Sequence, residues 1–181
     1  MSKKIGVVVG SLRKEAFTKQ IAEELKRVAP GSLEFENIEI GHLEMFNQDY
    51  DDKGNTPESW KAFRENLKKF DGFLFITPEY NRSFPAVIKN ALDVGSRPYG
   101  QSMWNGKPSA VVSVSPGAIG GFGANHHLRQ VLVFLNIPTL PAEAYIGDVM
   151  SLYDENGKLN ADTEGFLKSF MASFEEWVNK F

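Results

Sequence analysis

The sequence predicts an α/β protein, a three-layer sandwich in which helices cover both faces of a five-stranded parallel sheet. Short apolar runs rich in β-branched residues alternate along the chain with segments whose apolar residues recur at helical spacing. Two of those runs, Gly72 to Thr77 and Pro108 to Ser115, are apolar almost throughout, which suits strands buried on both faces. Glycine and proline mark the breaks between segments, and the crossovers joining the parallel strands are expected to be right-handed.

The first strand is read over Lys4 to Val9, ending at Gly10. A helix follows from about Thr18 to Val28, with Ile21, Ala22, Leu25 and Val28 on one face. Pro30-Gly31 turns the chain into a weaker, more exposed strand over Leu33 to Ile40. From His42 to Thr56 the chain is polar and acidic and reads as a long surface loop, a class of segment that is often functional. Pro57 then opens a helix whose Trp60, Phe63, Leu67 and Phe70 form a sheet-facing stripe.

Gly72 to Thr77 is the expected central strand, and Pro85 begins a helix through Val87, Ile88, Ala91 and Leu92. The fourth strand, Pro108 to Ser115, leads through a glycine-rich turn from Pro116 to Gly123 into a helix carrying Leu128, Val131, Leu132 and Leu135. Pro138-Thr139-Leu140 is the candidate fifth strand, short and flanked by prolines. A final helix displays Phe166, Phe170, Phe174, Trp177 and Phe181, read as core packing.

A chain of 181 residues with no low-complexity linker is expected to form one domain over 1–181. Its 42% hydrophobic content and 14 Phe, 3 Trp and 5 Tyr can fill a core, which argues against disorder. No segment reaches the ~20 apolar residues of a membrane span, and Met1-Ser2-Lys3-Lys4-Ile5 lacks the pattern of a signal peptide, so a cytoplasmic location is expected. With no cysteine the chain has no disulfide, thiolate nucleophile or iron–sulfur ligand, so redox chemistry would have to belong to a bound cofactor. A net charge of −3 does not suit a nucleic-acid binder. Lys61, Arg64, Lys68 and Lys69, interleaved with Glu58 and Glu65, read as a solvated helix face.

Three segments sit where parallel strands release their chain, which is where open α/β sheets bind ligands. Gly10-Ser11-Leu12-Arg13 through Thr18 joins strand to helix. Free amides and the positive end of the helix dipole would meet there, with Ser11, Thr18 and Arg13 as further donors to a phosphate. From these residues alone, a capped turn with a surface arginine is an equal alternative. The loop matches neither G-x-G-x-x-G nor the P-loop pattern. In Thr77-Pro78-Glu79-Tyr80-Asn81 a stiff turn presents a ring and a hydrogen-bonding amide to a flat heterocycle, or else Tyr80 is a structural tyrosine. Ser115-Pro116-Gly117-Ala118-Ile119-Gly120-Gly121 lets backbone amides approach a ligand edge, or is merely a flexible turn.

With these segments in view the chain resembles the NADPH-dependent FMN reductases of flavodoxin-like fold, a family that includes bacterial quinone, chromate and azo reductases. The resemblance spans nearly the whole chain. It is carried by Gly10-Ser11-Leu12-Arg13, Thr77-Pro78-Glu79-Tyr80-Asn81, Lys89-Asn90-Ala91-Leu92-Asp93, Gly106-Lys107-Pro108, Gly117-Ala118-Ile119-Gly120-Gly121 and His127-Leu128-Arg129-Gln130. It implies sheet order 2-1-3-4-5. It also implies FMN held by its phosphate at Ser11, Arg13 and Thr18, with its ring against Pro78, Glu79, Tyr80 and Asn81 and its other edge beside Ser115 and Gly117. The family is usually dimeric or tetrameric, so a homodimer or homotetramer is expected. Two departures stand out: Ala16 where the family often carries a phosphate-binding serine, and Val94 after Asp93 where a tryptophan is common.

The resulting expectation is an FMN-dependent oxidoreductase that takes electrons from NADPH or NADH and passes them to a small acceptor in a ping-pong cycle. Quinones, chromate, azo dyes, ferric iron and free flavin are candidate acceptors. No protein side chain is nominated as acid, base or nucleophile, and no metal site is expected. His126 and His127 are neighbours on a helix, so their side chains diverge by about 100° and read as helix surface or subunit contact. His42 stands alone. Arg82 beyond the ring loop is either exposed or a partner for the 2′-phosphate of NADPH. The alternative function is a flavodoxin-like FMN electron carrier with no NAD(P)H activity; a flavin-binding interaction protein ranks below it.

Overall fold

Strands β1 (Lys3–Val9), β2 (Leu33–Asn37), β3 (Gly72–Pro78), β4 (Ser109–Val114) and β5 (Ala144–Ile146) pair in parallel in the order β2-β1-β3-β4-β5. This computed structural model describes residues 2–181. Helices α1 (Phe17–Val28), α2 (Asp49–Asp52), α3 (Glu58–Leu67), α4 (Ala86–Gly95), α5 (Phe122–Phe134) and α6 (Ala161–Val178) complete the fold.

Alternation along the strands sorts the core into two layers. Ile5 and Val7, Leu74 and Ile76, and Ala110 and Val112 pack against α1 and α6. Val8, Phe73, Phe75 and Val111 face α3, α4 and α5. In β3 the six residues from Gly72 to Thr77 are all buried, and so are all six of β4, because helices close both faces of these strands. Trp104, fully buried, meets the rings of Phe63, Phe73 and Phe75 under α3 and α4.

The sequence-based elements are present, with four corrections. The fifth strand is Ala144–Ile146, not 138–140. Pro138 and Leu140 still flank Ser109 with two backbone bonds, but Pro141 lacks the N–H to continue a ladder, and pairing resumes only at Ala144 opposite Val112. Within the acidic loop, α2 forms one turn. Arg64 does not belong to a solvated face: its guanidinium donates to both oxygens of Asp51 (2.8 and 2.7 Å) and to the Val94 carbonyl (2.8 Å). Lys61, Lys68 and Lys69 do sit at the surface, each paired with a glutamate. Along α6 the buried face is Leu167, Phe170, Met171, Phe174 and Val178, while Phe166 and Phe181 are exposed.

Smaller shifts occur at element ends. The second strand stops at Asn37, although Ile38 and Ile40 beyond it are buried. Helix α3 stops at Leu67, so Phe70 reaches the core from the turn that follows.

Candidate functional site

The C-terminal ends of β1, β3 and β4 lie side by side, so the three loops that leave them share one edge of the sheet. Close approach there depends on Gly10. A Cβ at that position would stand 2.7 Å from Ile88 Cδ1 and 3.0 Å from Pro78 Cδ, so a side chain would crowd α4 and the end of β3. Together the loops enclose a cleft of about 150 Å³.

Seven of the nine sequence-predicted residues line that cleft: Ser11, Arg13, Thr18, Pro78, Glu79, Tyr80 and Ser115. Asn81 and Gly117 stand next to it in the chain without lining it. Ala16, Phe17, Val114 and Pro116 also line it and were not among the predicted site residues. Phe17 carried a usable signal, since it immediately precedes Thr18 within the segment from Gly10 to Thr18.

The first loop is rich in unused donors. The backbone N–H groups of Ser11, Leu12 and residues 14–18 have no acceptor among the described residues, and Arg13 N–H meets only the Ser11 hydroxyl at 3.4 Å. Ala16 occupies the N-cap of α1 in an extended conformation and offers no side-chain acceptor. Thr18 is buried, and its Oγ1 has no hydrogen-bond partner at all. Leaving a buried hydroxyl unpaired costs about 1–3 kcal/mol, so the arrangement suits a ligand that arrives with acceptor oxygens. Free amides, a helix N-terminus, a buried hydroxyl and the exposed Arg13 together have the chemistry of a phosphate cradle. The same loop without those orphaned donors would be an ordinary capped turn.

The second loop is closed by one reciprocal pair of backbone bonds, while the N–H groups of Glu79, Asn81 and Arg82 have no acceptor among the described residues. Tyr80 and Ser83 exchange backbone bonds of 2.8 and 3.0 Å around Asn81 (φ 50°) and Arg82 (φ 68°). Tyr80 is half exposed at the cleft, so its ring is a surface rather than core filler. Pro78 ends β3 and removes a donor from that edge. On the third side, the Ser115 hydroxyl accepts from Gly117 N–H at 3.0 Å and shapes the turn into α5.

Beyond the cleft, His126 and His127 are both exposed and separately engaged. His126 Nε2 lies 2.9 Å from the Tyr145 hydroxyl, and His127 Nδ1 lies 3.2 Å from Ser83 Oγ. Burial and the hydrogen bond to Glu143 push Tyr145 up to about 12, so it remains a neutral donor at physiological pH. Arg82 is 76% exposed in its side chain, and its guanidinium pairs with Glu79 at 3.4 Å. Among the described residues no group of three or more His, Asp or Glu side chains is placed to hold a metal. No helix among them is long and apolar enough to cross a membrane.

Residues 3–150 match the protein family described as NADPH-dependent FMN reductase. The chain is 56% identical over 175 residues to a quinone reductase of Pseudomonas putida, covering 96% of this chain and 94% of that protein. It is 46% identical over 180 residues to a 2-hydroxy-1,4-benzoquinone reductase of a Burkholderia species, with 98% and 97% covered. Among solved structures it resembles the flavoenzyme NAD(P)H:acceptor oxidoreductase FerB of Paracoccus denitrificans, with a TM-score of 0.90, 39% identity and 98% of each chain covered.

Proposed function

The chain belongs to the NADPH-dependent FMN reductase family and is an NAD(P)H-dependent FMN oxidoreductase, and we propose that it reduces quinones in the cleft described above. Quinones are favoured as the acceptor class because the similar proteins of Pseudomonas putida and Burkholderia are quinone reductases. The observation that carries the placement is the set of orphaned donors around Thr18, which matches the FMN phosphate in charge and in hydrogen-bond sense. The bound flavin would supply the redox chemistry, taking a hydride from NAD(P)H at N5 and giving two electrons to the acceptor.

The protein's own part is binding and orientation. In this reading Ser11, Arg13, Thr18 and the free amides of residues 14–18 hold the phosphate, and Pro78, Glu79, Tyr80 and Asn81 form the ring loop. Ser115 and Gly117 bound the opposite edge with small residues and backbone amides. The cleft is smaller than the roughly 300–1,000 Å³ of pockets that engulf a ligand, so the flavin would be gripped by its phosphate and one face. Its other face would stay open to solvent. An open face gives NAD(P)H and the acceptor one shared place, and a shared place requires them to take turns. A homo-oligomer could narrow the open side further.

The test is anaerobic. Apoprotein reconstituted with FMN should bleach on adding NADPH or NADH and regain its colour on adding a benzoquinone. Initial rates measured against both substrates should give parallel double-reciprocal lines. Intersecting lines would overturn the alternating order, and a bleached flavin that a quinone leaves reduced would overturn the acceptor class.

A further inference from the structure

We propose that Glu79 is a positioning residue that locks the ring loop onto helix α5, rather than a group that contacts the flavin ring. The proposal rests on the flavin reading above and adds what holds the ring surface in place.

The loop needs such a lock. Two consecutive left-handed residues make Tyr80 to Ser83 a tight reversal of the type that favours Gly and Asn. Asn81 tolerates that conformation, but Arg82 is a long side chain at φ 68°. Strain of this kind persists only where the surroundings over-determine it.

Those surroundings are the first turn of α5. Ala124 N–H donates to Glu79 Oε2 at 3.1 Å. That amide is one of the helix's orphan donors, and the N-cap, Gly121, has no side chain to satisfy it. A carboxylate from another loop therefore caps the helix, with its charge at the positive end of the dipole. Glu79 Oε1 faces the Arg82 guanidinium at 3.4 Å, so both carboxylate oxygens are engaged within the protein. The side chain is only 13% exposed. Gly123 makes the contact fit, because a Cβ there would stand 2.7 Å from the Arg82 carbonyl oxygen. Ser83 adds its contact with His127.

Helix α5 also terminates the Ser115–Gly121 segment, so the tie fixes two walls of the cleft relative to each other. Losing it should loosen the ring site and spare the phosphate site on the far side.

Titration of apoprotein with FMN, riboflavin and inorganic phosphate separates the two. Glu79→Ala should weaken FMN and riboflavin alike, by about tenfold, with phosphate affinity unchanged. Glu79→Gln keeps an oxygen for Ala124 N–H and should restore both flavins to near wild-type affinity. Gly123→Ala, at a position that does not line the cleft, should reproduce the Glu79→Ala pattern. Hydrogen exchange of the Ala124 amide in apoprotein should quicken in Glu79→Ala and stay slow in Glu79→Gln. A Glu79→Ala variant that binds flavins as the wild type does overturns the proposal alone. So does a Glu79→Gln variant as weak as Glu79→Ala with Ala124 still protected, because the carboxylate would then act on the ring itself. Wild-type protein that binds no flavin overturns the flavin reading as well.

Discussion

The loops after β1 and β3 face each other across one cleft, yet only the second is tied by a side chain to a neighbouring helix. Residues 10–18 leave donors unspent: a row of amides and the buried Thr18 hydroxyl have no partner. Residues 78–83 also leave the Glu79, Asn81 and Arg82 amides free, but close a strained turn through the Tyr80–Ser83 pair and dock it on α5. The difference indicates a division of labour. In the proposed flavin reading the first loop takes its shape from its ligand, whereas the second is braced against α5 before the ligand arrives. Ligand removal should therefore loosen the first loop more than the second.

The comparison fails if general destabilisation can imitate either loop, and Arg64 tests this with the largest expected effect. Its side chain and that of Asp51 are about one-tenth exposed, and neither touches the cleft. Arg64→Ala should cost about 3 kcal/mol in urea unfolding at pH 7, because it strands a largely buried carboxylate. It should leave the ratio of FMN to riboflavin affinity unchanged. Arg64 holds the Asp51 carboxyl below its ordinary range, so its contribution is full above about pH 4 and disappears as the pH falls through the depressed native value. The wild type should lose this increment on acidification, and Arg64→Ala should not.

Arg13→Ala sharpens the contrast directly. Loss of a charge-assisted contact to phosphate should weaken FMN by about 2 kcal/mol, roughly thirtyfold, without moving riboflavin. Equal losses for the two flavins in isothermal titration would place Arg13 on the ring side. Thr18→Val gives a smaller effect with opposite signs in the two states. FMN should bind about 1 kcal/mol more weakly, while the apoprotein gains stability because an unpaired buried hydroxyl is gone. Arg82→Gly should shift stability least, by about 0.5 kcal/mol upward in thermal unfolding, since glycine relieves the left-handed strain but frees the unfolded chain.

Much of this was legible in the sequence because burial on both faces writes itself as continuous apolar runs, as in Gly72 to Thr77. The donor-rich loop was legible for a similar reason, being local: Gly10 to Thr18 supplies its donors from nine consecutive residues. What depended on distant partners was not. Arg64 looks like one more charge on a helix with acidic neighbours, and its partner Asp51 lies thirteen residues earlier in the acidic segment. The fifth strand was displaced because Pro138 to Leu140 does touch β4 before Pro141 interrupts it. Arg129 then holds the bulging Leu140 and Ala142 carbonyls at 2.8 Å each. Periodicity also overstated α6, since Phe181 lies past the helix end. The engagement of Glu79 with Ala124 spans 45 residues and leaves no local trace.

The most direct measurement of the central claim is a pair of calorimetric titrations of the wild-type apoprotein, one with FMN and one with riboflavin. If the loop after β1 is the phosphate cradle, FMN should bind at least about a hundredfold more tightly, or about 2.8 kcal/mol. Equal affinities would contradict the account, because the orphaned donors around Thr18 would then have no phosphate to hold.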